Sequence, residues 1–232
     1  MTSLTPGNNP MKNSGAPKKR FRLHYQPFLF RVAPILSAVL CFILACFWGH
    51  SHRKASREKR AQAALWRSVR LFQEGKYQAA LKGDPQRKID GLLKVAKTWP
   101  TTKAGQQAHL YLGKHCMKQS NHRQAIVHFK QCHFQDELIQ PAIYAWIGDA
   151  HAALGESESA IFWFEKAIAN KSNPFFTPRY YKKLAYFYEN QGALEKALAT
   201  YVQMAKAFPA TSAYDQAESE IGRLTFLLES TS

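Results

Sequence analysis

The chain has 232 residues, 46% of them hydrophobic, which is enough for one packed domain with accessory segments. Its net charge of +16 is typical of proteins that bind nucleic acid or a membrane surface. Residues 1–70 contain 13 Lys or Arg and one acid, so the basic excess is N-terminal and the rest of the chain is close to balanced. We therefore expect no nucleic-acid-binding domain, and we expect membrane lipids to contact the basic flanks.

Residues 1–27 predict a disordered basic tail, because the first twenty are rich in Asn, Pro, Gly, Ser and Lys and contain almost nothing to bury. Residues 28–50 predict a transmembrane helix. Val32 to Gly49 is a run of 18 residues without a charge, and a helix of that length reaches roughly the ~30 Å of a hydrocarbon core. A buried core helix is the alternative, but such helices are rarely apolar on all sides over this length.

The charges beside the apolar run do not determine its orientation, because both sides carry several Lys and Arg. A secretory signal is a second interpretation of the same segment. The sequence ILAC at Ile43–Cys46 resembles a lipobox, in which Cys46 would be lipidated. Against this, some thirty residues precede the apolar run, and Phe47 and Trp48 extend it past the cleavage point. The lipoprotein interpretation stays open.

Residues 51–74 predict a basic helical stem, because no helix breaker occurs before Gly75. The basic first half of the stem suits anionic headgroups, at about 1 kcal/mol per residue near the surface. An ordinary solvated helix fits the same residues.

A recurring pattern of small and aromatic residues occupies residues 60–230. An Ala followed four residues later by an aromatic ring occurs three times, at intervals of 35 and 37 residues, and a small residue precedes each Ala by twelve. Rings and aliphatic residues flank each small residue at fixed offsets. The positions that define the pattern are Gly113, Ala125, Phe129, Gly148, Ala160, Phe164, Ala185, Ala197 and Tyr201.

This spacing resembles the tetratricopeptide repeat, whose period is about 34 residues. Clear repeats are predicted near 106–140, 141–174 and 178–211, with a capping helix at 211–229. A degenerate repeat, interrupted by the insertion GDPQRKID, precedes them. The resemblance implies an all-α solenoid of paired antiparallel helices that bury a shared core. We expect Gly148 and Ala160 to lie where two backbones approach closely, and Gly155 to end a first helix in a left-handed conformation.

The first helices of such repeats line a groove, and here they carry mainly basic residues. We expect a mildly basic peptide-contact surface, although Asp149 could equally be an ordinary solvated residue. The two-Asn, three-basic clamp of chaperone-tail-binding repeats is not reproduced. The candidate groove residues are Lys114, Lys118, Asp149, Arg179, Lys182 and Tyr186.

Seven His and Cys residues cluster in the first clear repeat, so a zinc site has to be considered. No CxxC or HExxH motif occurs, and Cys116 and Cys132 occupy core positions of the repeat, so no metal site is predicted. A disulfide between these two cysteines stays open for an oxidising compartment. Without a Gly-rich phosphate loop, GxSxG or paired carboxylates, we predict no enzyme, cofactor or small-molecule substrate. The cluster comprises His109, His115, Cys116, His122, His128, Cys132 and His133.

The layout of one span, a stem and repeats is similar to bacterial membrane-anchored tetratricopeptide proteins related to the ancillary subunit of the SecYEG translocon. The phrases that carry this resemblance are YQAALKGD, TKAGQQAHLYLGKHC, DELIQPAIYAWIGDAHAALG and NPFFTPRYYKKLA. The resemblance implies a cytoplasmic N-terminus, periplasmic repeats, and translocon components, chaperones or secreted-protein segments as partners. The expected function is a scaffold that assists translocation or envelope protein biogenesis. A lipoprotein acting in outer-membrane assembly and a non-catalytic subunit of an enzyme complex are the alternatives.

Overall fold

The computed structural model describes residues 26–170 and 172–230, with side chains from Leu36 onward. The chain divides into two units, Met1–His52 and Arg53–Ser232. The elements in chain order are α1 (Gln26–Gln73), α2 (Tyr77–Lys82), β1 (Gly83–Asp84), β2 (Ile89–Asp90), α3 (Leu92–Thr98), α4 (Lys103–Lys118), α5 (His122–Phe129), α6 (Ile139–Ala153), α7 (Ser157–Ala169), α8 (Thr177–Asn190), α9 (Leu194–Ala207) and α10 (Ser212–Ser230).

The described part of the first unit is helical, and its apolar side chains are exposed; Phe42 and Phe47, for example, are both more than 70% exposed. Among the described residues, no helix is long and apolar enough to cross a membrane. Positions 1–25 of the predicted tail lie outside the described residues. The side chains of 28–35, within the predicted transmembrane segment 28–50, also lie outside them.

The core of the second unit is a series of apolar clusters, each shared by three successive parts of the chain. The C-terminal part of α1 packs with α3 and α4, and α4 and α5 pack with α6. In the same way α6 and α7 pack with α8, and α8 and α9 pack with α10. Because every pair of helices shares its core with the next helix, the stack and not the single pair is the stable unit.

Four turns in this unit have the same hydrogen-bonded geometry. Gly75, Gly155 and Gly192 have φ between +72° and +76°, and Ser120 takes the equivalent place with φ +55°. In each turn the amide of the residue after the left-handed one donates a hydrogen bond to the carbonyl five residues before it, for example Glu156 N to His151 O at 3.0 Å. This left-handed ending is the Schellman motif, which closes a helix and reverses the chain. The expected left-handed Gly155 is confirmed.

The insertion GDPQRKID forms a small hairpin, so the second unit is not strictly all-α. Strands β1 and β2 pair antiparallel, with Gly83 opposite Asp90 and Asp84 opposite Ile89. The hairpin separates two short helices, α2 and α3, at the place where the other repeats have one second helix. The buried Ser68 hydroxyl of α1 donates a hydrogen bond to the Asp90 carbonyl and so attaches the hairpin to the stack.

The small residues of the repeat pattern contact aromatic rings of the following helix. A Cβ added at Gly148 would lie 2.9 Å from Cε1 of Phe164, and one added at Gly113 would lie 2.5 Å from Cε1 of Phe129. The close approach at Gly148 is therefore between a helix backbone and a side-chain ring, not between two backbones as expected. The remaining pattern positions are all buried: Ala125, Ala160, Ala185, Ala197 and Tyr201.

The only acid of residues 53–73 connects the first helix to the next repeat. The Glu58 carboxylate accepts hydrogen bonds from the backbone amides of Lys103, at 2.9 Å, and Ala104, at 3.1 Å. These are two of the amides that the first turn of α4 cannot satisfy internally, and a carboxylate also suits the positive end of a helix. Glu58 therefore holds the start of α4 against α1.

Candidate functional site

One face of the second unit is formed by the first helices α4, α6, α8 and α10, joined by side-chain contacts between neighbours. The Lys114 ammonium lies 4.6 Å from the ring centroid of Trp146, which joins α4 to α6. Lys183 forms an ion pair with Asp149, which joins α8 to α6. Lys182 donates to Gln216 Oε1 at 3.0 Å, which joins α8 to α10. We call this surface the first-helix face.

The most basic part of the first-helix face is a shallow cleft on α8. Arg179, Lys182, Lys183 and Tyr186 line a volume of about 270 Å³, and the Tyr186 side chain is 59% exposed. Lys182 and Lys183 each lie three or four residues from both Arg179 and Tyr186, so the four residues share one side of the helix. The cleft thus presents three cations beside an exposed aromatic ring, an arrangement suited to a segment that carries both carboxylates and apolar groups.

Asp149 lies beside this cleft, and its charge is already compensated. Its carboxylate pairs with Lys183, and both side chains are partly exposed, at 29% and 38%. A pair in that setting contributes about 0–1 kcal/mol to stability. Arg179 and Lys182 form no ion pair within residues 36–170 and 172–230, so they are available to a partner.

Lys118 lies apart from the cleft, at the other end of the set of predicted groove residues. Its ammonium donates to the Tyr77 hydroxyl at 3.3 Å and lies 4.9 Å from the centroid of that ring. Lys118 therefore connects α4 to α2. The structure brings Arg179, Lys182 and Tyr186 together, places Asp149 beside them, and leaves Lys114 and Lys118 on α4.

Sequence reasoning missed Trp146 and Lys183, although a signal for both was present. Each lies two residues before the small residue of its repeat, Gly148 or Ala185. The repeat register therefore placed them on equivalent sites of successive first helices. The contact of Lys182 with Gln216 could not be inferred in this way, because α10 departs from the repeat pattern.

The His and Cys residues of the first clear repeat lie mainly in the helix-packing region. The Nδ1 atoms of His109 and His128 are 3.1 Å apart. Burial, together with the charge of His128, lowers the pKa of His109 to about 4, and burial also lowers the pKa of His128. In the described part of the chain, no group of three or more His, Cys, Asp or Glu residues could hold a metal ion.

Cys116 and Cys132 belong to one apolar cluster and are free thiols in the structure. Burial raises the pKa of both thiols, that of Cys132 to about 12. A thiol with a raised pKa carries little thiolate at neutral pH and is a poor nucleophile. These cysteines therefore act as small apolar core residues in this state.

A stack of paired helices with a shared core and an exposed face of first helices defines an α-helical repeat protein. Residues 141–174, which contain α6 and α7, match the tetratricopeptide repeat family. A search of curated proteins finds none that matches the chain.

The family match supports a tetratricopeptide-repeat protein and indicates a protein–protein interaction scaffold. Repeats of this family are typically non-catalytic modules. The matched repeat contributes Trp146 and Asp149 to the first-helix face, so the family match and the candidate surface concern the same helices.

Proposed function

We propose that this chain is a membrane-anchored scaffold that holds segments of partner proteins on its first-helix face. The observation that carries the proposal is the α8 cleft, where Arg179 and Lys182 lie beside the exposed ring of Tyr186. Aromatic and Arg side chains are the residues that contribute most to protein interfaces. Because these two cations form no ion pair within residues 36–170 and 172–230, they favour a segment that contains Asp or Glu.

The membrane anchor is supported by the sequence alone. The run from Val32 to Gly49 contains no charged residue and is flanked by basic residues on both sides. We propose that this segment holds the protein in the inner membrane of a bacterium with the repeats in the periplasm, where they assist protein translocation or envelope protein biogenesis. Translocon components, chaperones and secreted-protein segments are the proposed partners.

The anchor is tested by washing membranes that contain the full-length protein with high salt and with carbonate. We expect the protein to stay in the pellet and removal of residues 1–52 to release it, because salt screens a basic surface patch but does not weaken an apolar span. Release of the full-length protein by salt contradicts the anchor. Protease protection in spheroplasts tests the side on which the repeats lie.

The binding surface is tested by crosslinking in native membranes, followed by mass spectrometry of captured proteins. The test variant is Arg179→Glu with Lys182→Glu. The control variant is Lys97→Glu with Lys206→Glu, which makes the same change in net charge at exposed positions of the second helices α3 and α9.

We expect the cleft variant to lose most of its captured partner and the control variant to retain it. Exposed substitutions change stability by less than about 0.5 kcal/mol, and circular dichroism checks that both variants fold. The difference between them should shrink at high salt, because steering by exposed charges is screened. Equal yields from the two equally folded variants exclude the cleft as the main contact surface.

A further inference from the structure

The two end helices of the second unit each leave one side exposed. The C-terminal part of α1 packs against α3 and α4 through residues such as Leu65 and Val69. Helix α10 packs against α9 through Ala213, Ala217 and Leu224. The opposite sides of both helices are open to solvent, and each displays a large aromatic ring.

The exposed side of α1 is basic. Lys59, Ala63, Trp66 and Arg70 follow one another at intervals of four, three and four residues, so they share one side of the helix. Trp66 is 66% exposed. Residues 53–73 contain seven basic residues and one acid, and that acid, Glu58, is turned to the amides of α4. Glu74, just beyond the helix, pairs with Arg70 at 3.3 Å, but both side chains are exposed and such a pair contributes little to stability, so Arg70 can exchange it for a partner. We call these four residues the head face.

The exposed side of α10 is acidic. Glu218, Gly222, Phe226 and Glu229 follow at intervals of four, four and three residues and also share one side. Phe226 is 70% exposed, and a Cβ added at Gly222 would meet nothing within 4 Å. We call these four residues the tail face.

The only basic residue of α10 does not neutralise the tail face. Arg223 bonds to Glu189 Oε2 and to Glu220 Oε2, both at 2.7 Å. Its charge is therefore directed towards α8 and its own helix. The carboxylates of Glu218 and Glu229 remain for a partner of positive charge.

We propose that the head face of one copy of this chain packs antiparallel against the tail face of a second copy. Both faces extend over 12 residues, a rise of about 16.5 Å along the helix. In antiparallel register, charge then faces opposite charge at both ends, and a large ring faces a small residue at both central positions. The four pairs are Lys59 with Glu229, Ala63 with Phe226, Trp66 with Gly222, and Arg70 with Glu218.

The internal contacts of the stack show why a ring opposite a small residue is a suitable pairing. Within the repeats, the ring of Phe164 fills the space at Gly148, and the ring of Phe129 fills the space at Gly113. Helix α10 follows α9 as a first helix, and its Gly222 is open, with nothing within 4 Å of an added Cβ. Trp66 of a second copy supplies the missing ring.

A second copy is the occupant that the charges favour, because the same chain carries both complementary faces. Residues 53–73 have a net charge of +6 and α10 has one of −3, counted from their Lys, Arg, Asp and Glu residues. Contact between two different faces leaves one face of each terminal copy free, so copies can add in a row or close into a ring. Trp66 and Phe226 would be the central contacts of the interface between two copies, since buried aromatic residues contribute most to such interfaces.

The test measures the mass of the full-length protein in mild detergent by sedimentation over a range of concentrations. The head variant carries Lys59→Glu and Arg70→Glu, and the tail variant carries Glu218→Lys and Glu229→Lys. Lys97→Glu with Lys206→Glu is the control for the head variant, because it changes the net charge equally on other helices.

We expect the wild type and the control to grow in mass with concentration and to dissociate at high salt, whereas the head variant and the tail variant remain monomeric. An equimolar mixture of head and tail variants should associate and grow with concentration, because the wild-type head face then meets the wild-type tail face and the reversed head face meets the reversed tail face. A chain with all four reversals should associate again. Trp66→Gln, which leaves the net charge unchanged, should also weaken association. It tests the head face independently of its charges.

A wild type that stays monomeric at every concentration overturns the proposal and leaves α10 as a solubilising cap. Growth of the head or tail variant equal to that of the wild type also overturns it, as does a mixture of the two that does not associate. These outcomes are independent of partner capture, which depends on the α8 cleft.

Discussion

The contact between Gly148 and Phe164 gives the most quantitative prediction about the stack. A Cβ at Gly148 would lie 2.9 Å from Cε1 and 3.1 Å from both Cδ1 and Cζ of the Phe164 ring. That ring is fully buried and stacks on Phe187 with a centroid distance of 5.6 Å, so it has little room to move. We expect Gly148→Ala to be destabilising, because overpacking a core costs about 1–3 kcal/mol.

Gly222→Ala is the matched control, because Gly222 lies in a helix with open space around its Cα. Both changes gain about 0.5–1 kcal/mol from higher helix propensity, and this gain cancels when the variants are compared. The two free energies of unfolding should therefore differ by about 1–3 kcal/mol. For a domain of this size that corresponds to a difference in Tm of about 2–12 °C.

The assay is thermal and urea unfolding followed by circular dichroism, at low protein concentration and high salt so that α10 stays without a partner copy. Gly148→Ala combined with Phe164→Leu should lose less stability than the two single changes added together, because the smaller side chain relieves the clash. Equal stability of Gly148→Ala and Gly222→Ala refutes the direct contact and the helix register built on it. Strict additivity of the stability losses from Gly148→Ala and Phe164→Leu in the double variant refutes them as well.

Two further predictions concern long-range contacts within the stack. Glu58→Gln should lower the free energy of unfolding by about 0.5–2 kcal/mol through loss of the cap on α4. The control Glu218→Gln, at an exposed position beyond the first turn of α10, should change it by less than about 0.5 kcal/mol. Urea unfolding at low protein concentration and high salt measures both, and equal effects contradict the cap. The lowered pKa values of His109 and His128 mean that both rings are neutral in the fold, so their contribution to stability is full above the ordinary pKa of 6.5 and is lost as pH falls below it, through about 4 for His109. Urea midpoints at pH 7.5 and pH 5 should therefore differ more for wild type than for His109→Gln, and equal differences contradict the buried neutral pair.

Much of the repeat architecture follows from the sequence because it rests on local rules. Gly155 marks a left-handed turn whatever surrounds it, since only the backbone conformation requires glycine there. The pairing of Gly148 with Phe164 follows from a fixed offset within one repeat. The offset does not reveal which atoms meet, and the structure shows a ring against a backbone where two backbones were expected.

The features that sequence reasoning missed depend on contacts distant in the chain or on weak local signals. The cap on α4 joins Glu58 to Lys103, and nothing in the spacing of these residues indicates it. Strands of two residues, such as Ile89–Asp90, carry too little alternation to be recognised. The α8 cleft was foreseen in part, because Arg179, Lys182 and Tyr186 lie on one helical face, but the ion pair that compensates Asp149 required the structure.

Photo-crosslinking from single positions in native membranes tests the proposed binding surface most directly. A photoreactive residue at Tyr186, which is 59% exposed on α8, is compared with one at Val202, which is 47% exposed on the second helix α9. A scaffold that binds through its first-helix face predicts partner adducts from position 186 and few or none from position 202. Equal adducts from both positions, or adducts from position 202 alone, contradict binding through that face.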